Sequence, residues 1–134
     1  MEEKYNQATP QRPAGARPLD AAIIPIYIPK YIEQLKTEEA YRKNGKNAIT
    51  VFKSEQITIT IIALKEGQRF YPGNDEGEAI MSLQLISGHL SFESSGTVTE
   101  LRNGELLMLH QQLSFNASAI TESICLLTML RHLL

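Results

Sequence analysis

From Ala48 onward the chain is a series of short apolar or alternating runs rich in β-branched residues, and this rhythm constrains the fold more than any other feature. The runs are AITVFK, QITITIIALK, AIMSLQLIS, HLSFES, TVTEL, ELLML, LSFNA and SICLLTML. They follow one another at roughly 8 to 12 residues, with Gly67, Gly73, Gly77, Gly88, Gly96 and Gly104 between them, which is the spacing of a sandwich or barrel. Asn103-Gly104 is the strongest tight-turn signal among them. In QITITIIALK, Ile57, Ile59, Ile61 and Ala63 share one face and Thr58, Thr60, Ile62 and Leu64 the other. Both faces of that strand are therefore expected to be at least half covered.

The segment before the strands reads differently. PKYIEQLKTEEAYRKNG has Pro29 where a helix can start, Ile28, Ile32 and Leu35 at helical spacing, basic residues Arg42 and Lys43 near its end, and Gly45 as a stop. One helix over about 29–43 is predicted. Thr37, followed by two glutamates, equally suits the cap of a second short helix. Residues 1–20 carry Pro10, Pro13 and Pro18 among polar residues and hardly any apolar anchor, so a flexible tail is expected there. Residues 21–134 are then read as a single domain, with the strands of about 47–130 forming its barrel.

With 134 residues, the chain can bury a core without a disulfide or metal staple. The net charge of -2 and the lack of a basic face argue against nucleic acid as a partner. Arg42, Lys43 and Lys46 follow Glu38 and Glu39 and read as a solvated surface. No run approaches the ~20 apolar residues of a membrane span, and the N-terminal residues lack the apolar stretch of a secretory signal, so a cytoplasmic protein is expected. Cys125, inside ICLLTML, is expected to pack as a small hydrophobe.

With the strands laid out, residues 47–130 resemble the cupin superfamily, in particular its small single-domain, RmlC-like bacterial members. The stretches that carry the likeness are ITVFKSEQITITIIALKEGQ, LQLISGHLSF, TELRNGELLML and TESICLLTML. The resemblance implies an all-β double-stranded β-helix, or jelly-roll barrel, with one N-terminal helix. Metal-binding members of the family use two glycine-opened motifs, the first supplying two histidines and a glutamate and the second a third histidine. If Gly67 opens the first, Gly73 and Asp75 stand at its histidine positions and Met81 at its glutamate. If Gly104 opens the second, His110 stands at its proline, Gln112 at its glycine and Phe115 at its histidine. Borderline and hard metals need several nitrogen or oxygen donors, which Gly73, Met81 and Phe115 do not offer. The expectation is a barrel with no metal and no cofactor.

Phe115 is expected to project into the barrel beside Met81 and Leu83, either filling it or lining a small apolar pocket. Tyr71, Asp75, Glu78 and Gln112 are the candidates for the rim of such a pocket. Three readings follow. The first is a metal-free protein in a regulatory role, binding a small apolar or carboxylated metabolite or a protein partner. The second is an isomerase, epimerase or dioxygenase with a metal site not recognised here or with His110 working beside Asp75 or Glu78. His110 is the only candidate catalytic residue, since His89 reads as an exposed strand residue and His132 lies at the C-terminus. The third is a structural partner with a filled barrel. A homodimer is expected, with the Ile62 and Leu64 face of QITITIIALK and the segment AAIIPIYI as candidate contact surfaces.

Overall fold

The computed structural model describes residues 3–71, 79–110 and 114–131. Strands β1 (Lys4–Asn6) and β2 (Arg17–Asp20) come first, followed by helices α1 (Ile28–Thr37) and α2 (Glu39–Asn44). Nine further strands complete the chain: β3 (Lys46–Lys53), β4 (Ile57–Leu64), β5 (Arg69–Phe70), β6 (Ala79–Ser87), β7 (His89–Ser94), β8 (Thr97–Arg102), β9 (Leu106–His110), β10 (Asn116–Ala119) and β11 (Ser123–Arg131). They form a five-stranded sheet in the order β3-β4-β11-β6-β9 and a four-stranded sheet in the order β5-β10-β7-β8. Every pairing is antiparallel. This is the expected jelly roll.

The centre of the larger sheet belongs to β11, between β4 and β6. Its sequence explains the position, because SICLLTML is apolar on both faces and only an internal strand buries both. Cys125, Leu127 and Met129 point into the barrel with Ile62 and Leu64 of β4. Ile124 and Leu126 point outward with Ile61 and Ala63, into a second core beneath the helices that includes Leu35, Tyr41, Ile49 and Val51. The Ile62 and Leu64 face considered above for a subunit contact is thus spent on the barrel, and the opposite face of β4 on the helices. In AAIIPIYI, Ile26 and Ile28 pack against the second core, whereas Ile23 is exposed.

Two of the turns that use positive φ do different things. Ser95 (φ 51) and Gly96 (φ 79) link Ser94 to its partner Thr97 in a two-residue hairpin between β7 and β8. Asn103-Gly104 instead carries the chain from the smaller sheet to the larger, with Glu105 N–H donating to Arg102 C=O at 2.9 Å. The tightest hairpin therefore falls at Ser95-Gly96, although Asn103-Gly104 is the stronger signal in sequence.

The predicted helix is two helices. Pro29 stands at the start of α1, as expected, and Gly45 (φ 77) closes α2 in the left-handed conformation. Between them Glu38 is extended, with φ -75 and ψ 151. Thr37 does not cap α2, since its hydroxyl donates back to Gln34 C=O at 3.0 Å. The break lets the Glu38 carboxylate accept from Arg12 Nη2 at 2.8 Å, Asn47 Nδ2 at 2.9 Å and Gln34 Nε2 at 3.2 Å.

Those contacts also explain why residues 4–20, expected as a flexible tail, form an antiparallel pair, β1 with β2. Arg12 bonds Glu38 and Ala48 C=O, and Arg17, 8% exposed, donates to Thr50 C=O from both Nε and Nη2 and to Gly15 C=O from Nη1. Two arginines, rather than apolar anchors, seat the segment beside β3. A composition argument weighs apolar content and so passes over such anchors.

Candidate functional site

The barrel interior is where a jelly roll would hold a ligand, and the described side chains that face it are apolar and packed together. Alternation along β6 sends Met81, Leu83 and Leu85 inward, each no more than 3% exposed. The smaller sheet answers with Leu90 and Phe92 on β7, Leu101 on β8, Ala117 and Ala119 on β10, and Phe70 on β5. Phe70 and Phe92 flank the small Ala117 from either side, its partner in both pairings. That gap admits the ring of Phe115. Its centroid lies 6.2 Å from Phe70 in an edge contact and 4.7 Å from Phe92 at a tilt of 33°. Both geometries are favourable aromatic arrangements.

Of the residues read from sequence as a pocket, Met81, Leu83 and Phe115 are brought together in this core. Tyr71 is 63% exposed. Asp75, Glu78 and Gln112, as well as Gly73 and His132, lie outside the described residues. His110 ends β9 exposed, opposite Ile80 of β6, while its neighbour Leu109 is buried in the barrel. Strand alternation thus places His110 on the outer face of the larger sheet, away from the barrel interior.

Of the positions that the family resemblance assigns to metal ligands, the two that are described, Met81 and Phe115, do not fit a metal. Met81 and Phe115 both sit in the apolar core, with aromatic rings and aliphatic side chains for neighbours. Among the described residues, no group of three His, Cys, Asp or Glu side chains is placed to hold a metal ion. Burial pushes the Cys125 thiol up to about 12, which leaves it protonated and inert as a nucleophile near neutrality.

Among the described residues, the barrel core is apolar and the polar contacts lie outside it. On the smaller sheet, His89 Nε2 lies 3.5 Å from Glu100 Oε2, and Arg102 Nη2 lies 3.4 Å from the same oxygen. His89, read from sequence as exposed, is half-buried, and its backbone N–H donates to Ser123 Oγ at 3.2 Å. Beneath α2, the Tyr41 hydroxyl donates to Glu122, which also pairs with Lys36 at 3.2 Å, and Lys65 Nζ lies 5.3 Å from the Tyr41 ring centroid. These groups lock the helices to the β10–β11 connection.

Sequence reasoning missed both aromatic partners of Phe115. Phe92 was legible, because Leu90 and Phe92 alternate with polar residues in HLSFES. Phe70 gave no periodic signal, since β5 is two residues long. The run LSFNA also begins before the strand it marks, as β10 starts only at Asn116.

Two antiparallel sheets in this strand order, closed over one apolar interior, define a double-stranded β-helix of the RmlC-like cupin type. The chain has the cupin fold. Across 98% of its length it superposes on 89% of the Cnp3 cupin domain of Schizosaccharomyces pombe, with a TM-score of 0.65 and 11% identity. An RmlC-like cupin from Desulfovibrio desulfuricans matches at 19% identity and a TM-score of 0.59, over 65% of this chain and 83% of that one. The Cupin_2 domain of an XRE family transcriptional regulator from Enterobacter cloacae matches at 13% identity and a TM-score of 0.59, over 67% and 99%. No protein-family model matches the sequence, and no curated protein matches it in sequence. At these identities the likeness shows the fold alone. Among the described residues, no helix is long and apolar enough to cross a membrane.

Proposed function

We propose that this chain is a non-catalytic interaction protein that works through its outer surface. The observation that carries the reading is the aromatic packing of Phe115 against Phe92 and Phe70 where a ligand would otherwise sit. A small-molecule site needs a cleft with a few convergent polar groups. The described interior is aliphatic and aromatic, with a thiol held protonated as its titratable group. Its regulatory or structural character draws support from cupin domains of similar shape, one of which belongs by name to a transcriptional regulator. The single cysteine, buried and free, suits a reducing cytoplasm.

The test is native mass spectrometry of the protein as purified. The expected spectrum carries polypeptide mass alone. A retained metabolite or a chelator-sensitive metal would overturn the closed-barrel reading and favour the enzyme alternative.

A further inference from the structure

Strand β3 is an edge of the larger sheet, and what meets it there is not another strand. Gly45 C=O accepts from Lys65 N–H at 2.8 Å, and this bond sets the phase of the pairing with β4. Asn47 and Ile49 therefore exchange bonds with β4, whereas the main-chain groups of Ala48 and Thr50 point out of the sheet. Side chains meet them. Ala48 N–H donates to Asn47 Oδ1 at 3.0 Å, and Ala48 C=O accepts from Arg12 Nη2 at 2.9 Å. Thr50 C=O accepts from Arg17 Nε at 2.9 Å and from Nη2 at 2.6 Å. Between Thr50 and Phe52 a register shift ends the regular edge.

The segment that supplies both arginines is fastened by little else. Among the described residues, every hydrogen bond from residues 4–20 to the rest of the chain starts at the side chain of Arg12 or Arg17. Strands β1 and β2 bond only one another, and neither apolar core includes a residue of the segment. A unit held by two side chains and sharing no core opens at a cost well below that of the whole fold.

We propose that residues 4–20 form a releasable strap that closes the β3 edge to strand addition, so that the edge takes an extended polypeptide only after Arg12 and Arg17 let go. The chemistry of the edge selects this occupant. Main-chain donors and acceptors that recur at every second residue match the backbone of another strand. Sheets keep such edges covered because an open one pairs with other chains. Here the cover is two guanidinium groups, one of them also held by Glu38, and these can be withdrawn without disturbing the ladder to β4. A ligand in the barrel would change the bound mass and leave the strap in place, so the strap stands or falls apart from the surface reading above.

Hydrogen–deuterium exchange of the wild type is expected to show the amides of Thr9, Arg12 and Gly15, which are bonded inside the strap, exchanging ~100-fold or more faster than those of β11. Exchange at the rate of β11 would mean that the segment opens only with the whole fold, and overturns the proposal. For the edge itself the probe is a fluorescein-labelled peptide of the β3 sequence, KNAITVFK, followed by fluorescence anisotropy. The R12A/R17A variant is expected to bind it ~10-fold or more tightly than the wild type does, and equal binding overturns the proposal. Ala48→Pro, added to that pair, removes an outward N–H and leaves the bonds to β4 intact, so it is expected to abolish the gain. Tight binding that survives it places the peptide elsewhere and overturns the edge assignment. Should circular dichroism show R12A/R17A unfolded, Arg12→Gln alone decides, with ~3-fold tighter binding expected and an unchanged dissociation constant overturning the proposal.

Discussion

The ring of Phe115, just ahead of β10, meets that of Phe92 on β7 at 4.7 Å, because the residue paired with Phe92 is Ala117 and leaves room for it. This diagonal contact puts an aromatic ring in the barrel core at the position that the family resemblance assigns to a metal-binding histidine. Removing the ring tests how much of the fold depends on it. Phe115→Ala is expected to cost about 3–5 kcal/mol, read as a lower urea midpoint at unchanged slope. The resulting apolar cavity is expected to take up benzene or xenon, which the wild type excludes.

Gly88 predicts a second large effect. It joins β6 to β7 at φ 112, and a Cβ there would lie 2.4 Å from both Glu122 C=O and Ser123 Oγ. Backbone on one side and a left-handed conformation on the other leave no cheap adjustment. Gly88→Ala is expected to destabilise the protein by about 2 kcal/mol or more, seen as a drop in Tm of several degrees.

The seat of the N-terminal strands is expected to be acid-sensitive. Burial pushes the Glu38 carboxyl up, but the hydrogen bonds from Arg12, Asn47 and Gln34 outweigh it and hold the group below its ordinary value. A carboxyl whose pKa is lower in the folded chain stabilises the fold above its unfolded pKa. That contribution is lost as pH falls through the folded value. Arg12→Ala is therefore expected to lower Tm at neutral pH and to narrow the difference in Tm between about pH 7 and about pH 3. An equal acid sensitivity in variant and wild type would count against this linkage.

At the other end of the helices, burial, the hydrogen bond to Glu122 and the negative charge of that carboxylate all push the Tyr41 hydroxyl up. The raised folded pKa means that its contribution is complete below about pH 10, the unfolded value, and is lost as pH rises through the folded one. Tyr41→Phe is expected to cost about 1–2 kcal/mol at neutral pH. The variant should then lose less stability than the wild type between about pH 9 and about pH 11, as measured by urea unfolding.

What the sequence determined by itself was a β-sandwich or barrel, because that evidence is local and repeated, and the family resemblance narrowed it to the jelly roll. Alternation in QITITIIALK, unbroken apolarity in SICLLTML and glycines between runs each report a nearby backbone state. The inward set Met81, Leu83 and Phe115 was legible for the same reason, since side-chain direction alternates along a strand. The tertiary structure decided what no single run encodes. A two-residue β5 places Phe70 beside Phe115, and Arg12 and Arg17 seat a segment whose composition reads as a tail. His110 turns to the outer face by the alternation that buries Leu109, and the helices choose the β3–β4 half of the larger sheet. These outcomes depend on contacts between residues far apart in the chain, and the pattern around either partner does not contain them.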